Sequence, residues 1–144
     1  MPHVRIDGAV YFVTWRVRLG QSDLSEDERD CVATAIRHFD TARYILHAYV
    51  VMNDHVHVLM QPLLDCQIEE ILQSWKSFTT NQMQRQHGRQ GSIWQDEYFD
   101  RVVRDDGEYE QKRDYIVHNP RKRWPHIESY PWQWAIGTDR SIPR

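Results

Sequence analysis

The segment YVVMNDHVHVLM, residues 49–60, consists of two apolar runs joined by a polar Asn-Asp pair. Two β-rich runs with a two-residue polar link predict a β-hairpin that turns at Asn53 and Asp54. Side chains alternate along a strand, so His55 and His57 project from the same face of the second strand. Two imidazoles at positions i and i+2 of a rigid strand supply half of the ligands of a divalent metal site.

The rest of the chain alternates between strand and helix patterns around this hairpin. Strands are marked by β-branched and aromatic runs, and helices by capping residues followed by apolar residues at helical spacing. The predicted elements are a strand over residues 9–18, a helix from about 26 to 39, a strand over 43–52, the strand after the turn, a helix that stops near 88, strand-like residues 93–103, and a helix from 105 that Pro120 ends. This order predicts an α+β, ferredoxin-like split βαβ fold with helices on one face of an antiparallel sheet, followed by a C-terminal helix.

Length and composition favour a single domain over residues 1–144. The chain is 40% hydrophobic and 27% charged, as ordinary globular domains are, with a core over about 8–123. Residues 124–144 are rich in proline and tryptophan and are expected to form an irregular tail packed on the domain. We expect a cytoplasmic protein without a membrane partner, because no apolar stretch approaches the ~18 residues of a membrane span and the N-terminus lacks a secretion signal. Cys31 and Cys66 lack paired motif spacing and are expected to be reduced thiols.

The charges are unevenly distributed. The net charge of −3 argues against a nonspecific nucleic-acid coat, yet residues 1–72 hold 6 Lys and Arg against 11 Asp and Glu, whereas residues 73–144 hold 12 against 10. Two stretches, residues 74–95 and 112–126, mix basic with aromatic residues, which suits a phosphate backbone with unstacked bases. The alternative for each stretch is a solvated helix face over core tryptophans. The candidate DNA-binding residues are Lys76, Arg85, Arg89, Arg121, Lys122 and Arg123.

The predicted third helix carries a candidate nucleophile. Successive helical residues turn by ~100°, so Asn119 lies only ~40° around the helix from Tyr115, one turn later. A phenol is a poor nucleophile at neutral pH, but a nearby cation stabilises its phenolate, and Lys112 is one turn before Tyr115. Tyr109 and Ile116 lie beside this stripe and are expected to hold it against the sheet.

Five ordered motifs resemble the REP-associated tyrosine transposases, which belong to the single-tyrosine branch of the HUH nucleases, where U is an apolar residue. These motifs are AYVVMNDH at 48–55, HVH at 55–57, SWKSFT at 74–79, IWQDEYFDR at 93–101 and YIVHNP at 115–120. The likeness extends roughly from Gly8 to Arg123. A single His-x-His would be a weak signal, but five motifs in this order are a strong one.

The resemblance implies a mechanism and a substrate. By analogy, His55, His57 and Asn119 would bind Mg²⁺ or Mn²⁺, and a pair of imidazoles favours Mn²⁺ on affinity. Tyr115 would attack a phosphate of single-stranded DNA, form a 5′-phosphotyrosine bond and release a 3′-hydroxyl for strand transfer. The implied partner is single-stranded DNA with palindromic REP-type hairpins. The resemblance also implies a monomeric protein, with a dimer as the alternative oligomeric state.

Several positions keep two interpretations or depart from the family pattern. Asp54 is expected either to orient His55 or His57 through a hydrogen bond or to be an ordinary turn residue. His118 is a candidate proton acceptor for the phenol of Tyr115. Asn119 precedes Pro120, so it is either a metal ligand or a helix cap. Asn53 replaces a common proline and is expected to loosen the turn, and residues 121–124 (RKRW) replace a small, glycine-containing segment.

Two other functions fit the same sequence. The first is a noncatalytic single-stranded nucleic-acid binder on a ferredoxin-like sheet, which needs neither metal nor Tyr115. The second is a metal-dependent phosphodiesterase that uses water and forms no covalent adduct.

Overall fold

A five-stranded antiparallel sheet organises residues 8–137, the part of the chain that the computed structural model describes. The strands are β1 (Tyr11–Arg16), β2 (Tyr44–Val51), β3 (His55–Pro62), β4 (Phe99–Val102) and β5 (Gln133–Ala135), and the helices are α1 (Glu26–His38), α2 (Ile68–Gln86) and α3 (Asp106–Arg123). Across the sheet the order is β4-β1-β3-β2-β5, so the first four strands have the ferredoxin-like arrangement and the predicted fold class is confirmed. Within residues 8–137, no helix combines the length and the apolar character that a membrane crossing requires.

The β2–β3 hairpin forms where the sequence predicts it. Val51 pairs with Val56, and the Met52 amide donates a hydrogen bond of 2.8 Å to the His55 carbonyl. The turn is not loosened by Asn53, contrary to expectation. The Asn53 side-chain amide donates a hydrogen bond to the Asp23 carboxylate at 2.9 Å. The Asn53 backbone carbonyl accepts one from the Leu24 amide at 2.7 Å. These bonds tie the turn to the loop before α1.

The two faces of the sheet bury separate apolar clusters. One face packs against α1 and α2, and its strand residues include Val13, Val58 and Met60. The other face carries Phe12, Val50 and Leu59 and receives Ile116 of α3. The prediction of helices on one face therefore holds for α1 and α2, while the C-terminal helix covers the opposite face. Since β3 alternates, His57 lies on the face of α3.

Three predicted element boundaries are wrong. Pro120 does not end α3, which continues to Arg123, because a proline in the last turn removes only one helical N–H and its ring is buried here. Residues 93–103 form a strand only over β4, with an isolated bridge between Val17 and Trp94. The tail is only partly irregular, because β5 pairs with β2 at the edge of the sheet, with Ala48 opposite Ala135. Residues 138–144 of the predicted tail lie outside the described residues.

Candidate active site

His55 and His57 lie side by side at the start of β3. Their ring centroids are 4.8 Å apart, and the rings are nearly perpendicular at 73°. His57 is buried, with 4% of its surface exposed, whereas the His55 side chain is partly open to solvent. The strand alternation that the sequence predicts thus places both imidazoles on the same face.

Each imidazole is held at its Nδ1 atom. The Nδ1 of His57 is 2.7 Å from the hydroxyl of Thr14, which is its register partner on β1. The Nδ1 of His55 is 2.7 Å from a carboxylate oxygen of Asp54, which agrees with the orienting role considered for Asp54. A partner at Nδ1 fixes the ring orientation and, when Nδ1 is the protonated nitrogen, leaves a lone pair on Nε2.

Thr14 is a site residue that the sequence analysis missed. Strand alternation places Thr14 on the same face as Phe12, but only the β1–β3 register brings it opposite His57. That register depends on pairing between strands more than 40 residues apart in the chain, which local patterns do not specify.

The arrangement suits a divalent metal ion at Nε2. His57 Nε2 is buried, and no protein group within residues 8–137 forms a hydrogen bond with it. A buried polar atom without a partner is costly unless something absent from the protein chain satisfies it. Within the described residues, no group of three or more His, Cys, Asp or Glu side chains is arranged to hold a metal ion. Further ligands would therefore come from another residue type, from water or from substrate.

His57 is in the neutral form that binds metals. Burial lowers the pKa of His57 to about 3, and the nearby positive charges of His55, Arg16 and Lys112 add to this effect. The imidazole is therefore uncharged at neutral pH, so metal binding there requires no loss of a proton from this ring.

Tyr115 approaches the histidines from α3 on the same face of the sheet. Its ring centroid is 5.2 Å from that of His57 and 6.0 Å from that of Phe12, and 41% of its surface is exposed. Ile116 is fully buried and the Tyr109 hydroxyl lies 2.6 Å from His47 Nδ1, so both residues hold α3 on the sheet as predicted. The Tyr115 ring, which is partly exposed, thus lies beside the buried His57 ring, and the His55 ring lies beside the same imidazole.

The residues predicted to support Tyr115 take different positions. Asn119 is buried within α3, and the helix cap is Trp124, so the interpretation of Asn119 as a cap is wrong. The Lys112 ammonium lies 5.0 Å from the ring centroid of Phe12, while the Lys122 ammonium lies 5.4 Å from the ring centroid of Tyr115. His118 is exposed, and its Nδ1 lies 2.9 Å from the Asp114 carbonyl of its own helix.

Two of the candidate DNA-binding residues serve the fold instead. The Arg89 guanidinium forms two bonds of 2.7 Å with the buried carboxylate of Glu28 and donates to the backbone carbonyls of residues 22 and 23, so its donors are occupied. The Lys76 ammonium donates to the carbonyls of Gln95 and Asp96, and burial lowers its pKa.

The remaining four basic candidates, Arg85, Arg121, Lys122 and Arg123, are exposed. They do not form one surface, because α2 and α3 lie on opposite faces of the sheet. Three of them follow Tyr115 on α3, and only Arg85 is on α2. Trp75 and Trp94 are buried in the apolar cluster on the face of α1 and α2, as expected for core residues.

Comparison with known proteins gives concordant results. Residues 9–119 match the family described as Transposase IS200 like. A Haemophilus influenzae protein named as a REP-associated tyrosine transposase is 27% identical over 167 residues, with 94% of this chain and 92% of the relative covered. A REP-associated tyrosine transposase solved bound to a REP hairpin has a similar fold, with a TM-score of 0.71 and 23% identity over 92% of this chain and 82% of that one. A crystal structure of a candidate transposase from Deinococcus radiodurans has a TM-score of 0.58 and 22% identity over 82% of this chain and 97% of that one.

Proposed function

Because this chain belongs to the IS200-like transposase family, we propose that it cleaves and rejoins single-stranded DNA beside hairpins of the REP type through a covalent bond to Tyr115. The observation that carries the proposal is the approach of the Tyr115 ring to within 5.2 Å of the His57 ring, from a different element and at a point open to solvent.

The histidines act as metal ligands in this proposal. Both are fixed at Nδ1, by Thr14 and Asp54, and the buried Nε2 of His57 has no hydrogen-bond partner within the described residues. Asn119, buried one turn after Tyr115, is the proposed third protein ligand. Bound Mn²⁺ or Mg²⁺ would polarise the scissile phosphate and neutralise the charge that develops on it.

Tyr115 is the proposed nucleophile. Its phenolic oxygen forms a bond to the phosphorus while the bond from phosphorus to the 3′ oxygen breaks. The phenol loses its proton to solvent, and the leaving oxygen takes one up as a 3′-hydroxyl. The product is a 5′-phosphotyrosine, and attack on it by a 3′-hydroxyl reverses the step. Cleavage and rejoining therefore conserve the number of phosphodiester bonds and need no external energy.

Lys122 supplies the cation beside the nucleophile. Its ammonium lies 5.4 Å from the centre of the Tyr115 ring, where it favours the negative charge that forms on the phenol during attack. The Lys112 ammonium lies 5.0 Å from the centre of the Phe12 ring and contributes to keeping His57 neutral. The role expected for Lys112 is therefore assigned here to Lys122.

The substrate assignment rests on similarity and on charge. The solved structure of similar fold holds a REP hairpin, and this chain concentrates exposed Arg121, Lys122 and Arg123 just after the proposed nucleophile. Positively charged side chains near Tyr115 are suited to bind the phosphates of the DNA strand on which Tyr115 would act.

One gel tests the proposal. The protein is incubated with Mn²⁺ and a single strand that contains a hairpin and is labelled on the side that would remain attached. A denaturant-resistant adduct is expected, which chelation and Tyr115→Phe each abolish, whereas the control Tyr98→Phe leaves it intact. Cleavage that survives Tyr115→Phe would instead identify a hydrolase that uses water, and binding without any cleavage would identify a simple nucleic-acid binder.

A further inference from the structure

A cavity of about 810 Å³ opens between the start of α1 and the chain that follows α3. Trp124, Tyr130 and Trp132 of the tail form its aromatic wall, and Arg29 of α1 and Arg123 of α3 contribute guanidinium groups. The volume lies within the ~300–1,000 Å³ typical of ligand sites. Of the residues that line it, only Arg123 has a role in the reaction proposed above.

The aromatic wall is built on a fixed tyrosine. Tyr130 is buried, and its hydroxyl donates a 2.6 Å hydrogen bond to the Val51 carbonyl. The ring of Trp124 stacks on it with centroids 5.5 Å apart and planes 23° apart, and Trp132 meets it edge-on at 5.2 Å. Both indoles are only partly buried, so each keeps surface for a further ring.

Two guanidinium groups adjoin the aromatic wall, and one of them has an unpartnered donor. Arg29 lies 4.5 Å from the centre of the Trp132 ring and donates to the Tyr130 hydroxyl at 3.2 Å, but its buried Nε has no hydrogen-bond partner within the described residues. Arg123 is exposed and lies 5.3 Å from the centre of the Trp124 ring. Glu26 also lines the cavity, and the Asp30 carboxylate accepts a 2.6 Å hydrogen bond from the Trp132 indole, so two carboxylates lie close to the two guanidinium groups.

The cavity lies beyond the C-terminal end of α3, the helix that carries Tyr115. Trp124 is nine residues further along the chain, which is about 13 Å along the axis at the ~1.5 Å rise per residue of a helix and about half a turn around it at ~100° per residue. Lys122 and Arg123 lie between them on α3. The tail is also fixed to the end of β2, since the Val51 amide donates to the Trp132 carbonyl at 2.8 Å and Val51 pairs with Val56, next to His55.

We propose that this cavity binds an unpaired nucleobase of the DNA strand that continues from the phosphate at Tyr115. The base stacks on Trp124 in the place of the Arg123 guanidinium, and Arg29 and Arg123 hold the adjoining phosphates. Aromatic faces with adjacent cations suit a base and its phosphate, whereas an apolar peptide would leave the guanidinium groups unpaired. This inference rests on the proposed function, because it supplies a second contact for the same strand.

The test compares hairpins with different flanks. Binding of the full-length Tyr115→Phe protein, which cannot form the adduct, is measured by titration with a blunt hairpin, with the same hairpin carrying an unpaired extension, and with an extension of abasic sites. The extension should tighten binding, and Trp124→Leu should remove that gain, a loss of roughly fivefold or more at the ~1–3 kcal/mol per stacked base. Trp124→Leu should leave the blunt hairpin unaffected. Phe78→Leu, at an exposed aromatic on α2, is the matched control and should change nothing.

A second measurement needs no aromatic substitution. Photo-crosslinking of 5-iodouracil in the extension to the same Tyr115→Phe protein should label the peptide that contains Trp124 or Trp132. The inference is overturned if abasic and normal extensions bind equally, if Trp124→Leu weakens blunt and extended hairpins alike, or if the crosslink maps elsewhere. When the unmodified chain forms the Tyr115 adduct in that case, only this inference fails. If no hairpin binds at all, the inference and the proposed function fail together.

Discussion

The two faces of the sheet use buried polar side chains in opposite ways. On the face of α1 and α2, Arg89 closes a pair with Glu28, and Thr79 both donates to the Trp75 carbonyl and accepts from the Trp94 indole. On the face of α3, Thr14 meets His57, but the other nitrogen of that ring has no hydrogen-bond partner among residues 8–137. Trp15 Nε1 on the first face also lacks a partner within residues 8–137, but an indole N–H cannot bind a metal ion, whereas an imidazole nitrogen can.

The largest effect is expected on the free energy of unfolding when the ion pair between Arg89 and Glu28 is broken. Arg89→Ala leaves the buried Glu28 carboxylate without its guanidinium and should lower the free energy of unfolding by about 3–5 kcal/mol. Urea denaturation measures this loss. The matched substitution Arg85→Ala, at an exposed residue of α2, should change the free energy of unfolding by less than ~0.5 kcal/mol. Equal losses in the two variants would mean that Arg89 has no special role in the fold.

On the face of α3, removing an imidazole should affect chemistry more than folding or binding. His57→Ala is expected to lower the rate of adduct formation by more than the ~10–100-fold that loss of a ligand's supporting partner causes. Hairpin affinity should fall little, because the residues proposed to bind the hairpin are the basic ones that follow Tyr115. Single-turnover assays and binding titrations on the same preparation separate the two quantities. An equal loss of rate and affinity would contradict the division of roles.

Local patterns were enough to predict the part of the site that lies on single elements. The hairpin turn, the common face of His55 and His57, and the position of Asn119 one turn after Tyr115 all follow from the periods of strand and helix. The order of the elements was likewise enough to predict the ferredoxin-like sheet.

Features that depend on contacts between elements could not be predicted in this way. The two basic stretches look alike in sequence, yet Lys76 and Arg89 are bound by groups from other parts of the chain, whereas Lys122 is exposed beside Tyr115. Helical spacing placed Lys112 nearest to Tyr115, but Phe12 of β1 receives its ammonium instead. Propensity also failed at Pro120, which is buried within α3 although it breaks one helical hydrogen bond.

The same threonine-to-valine substitution, made once on each face of the sheet, tests whether the two faces differ in function. Thr14→Val removes the hydroxyl that holds His57 and should lower metal affinity or adduct formation by roughly 10–100-fold. Thr79→Val removes a buried hydroxyl with two partners and should instead cost about 1–3 kcal/mol of stability while leaving the rate unchanged in folded protein. Manganese titration of adduct formation and thermal unfolding give both readouts. A rate loss in Thr79→Val alone would reverse the assignment of the faces.

The smallest effect concerns the exposed charges. Charge reversal at Arg121 and Lys122 should flatten the dependence of hairpin affinity on salt, because fewer DNA phosphates are then neutralised by the protein. The slope of log K against log salt should change by roughly 0.7–0.9 for each such phosphate. Arg85→Glu, on the opposite face, should leave that slope unchanged because α2 does not border the proposed site. Titrations between low and moderate salt provide the slopes. If Arg85→Glu flattens the slope as much as the α3 variants do, the DNA must wrap both faces, and the division between a structural and a functional face would not extend to the protein surface.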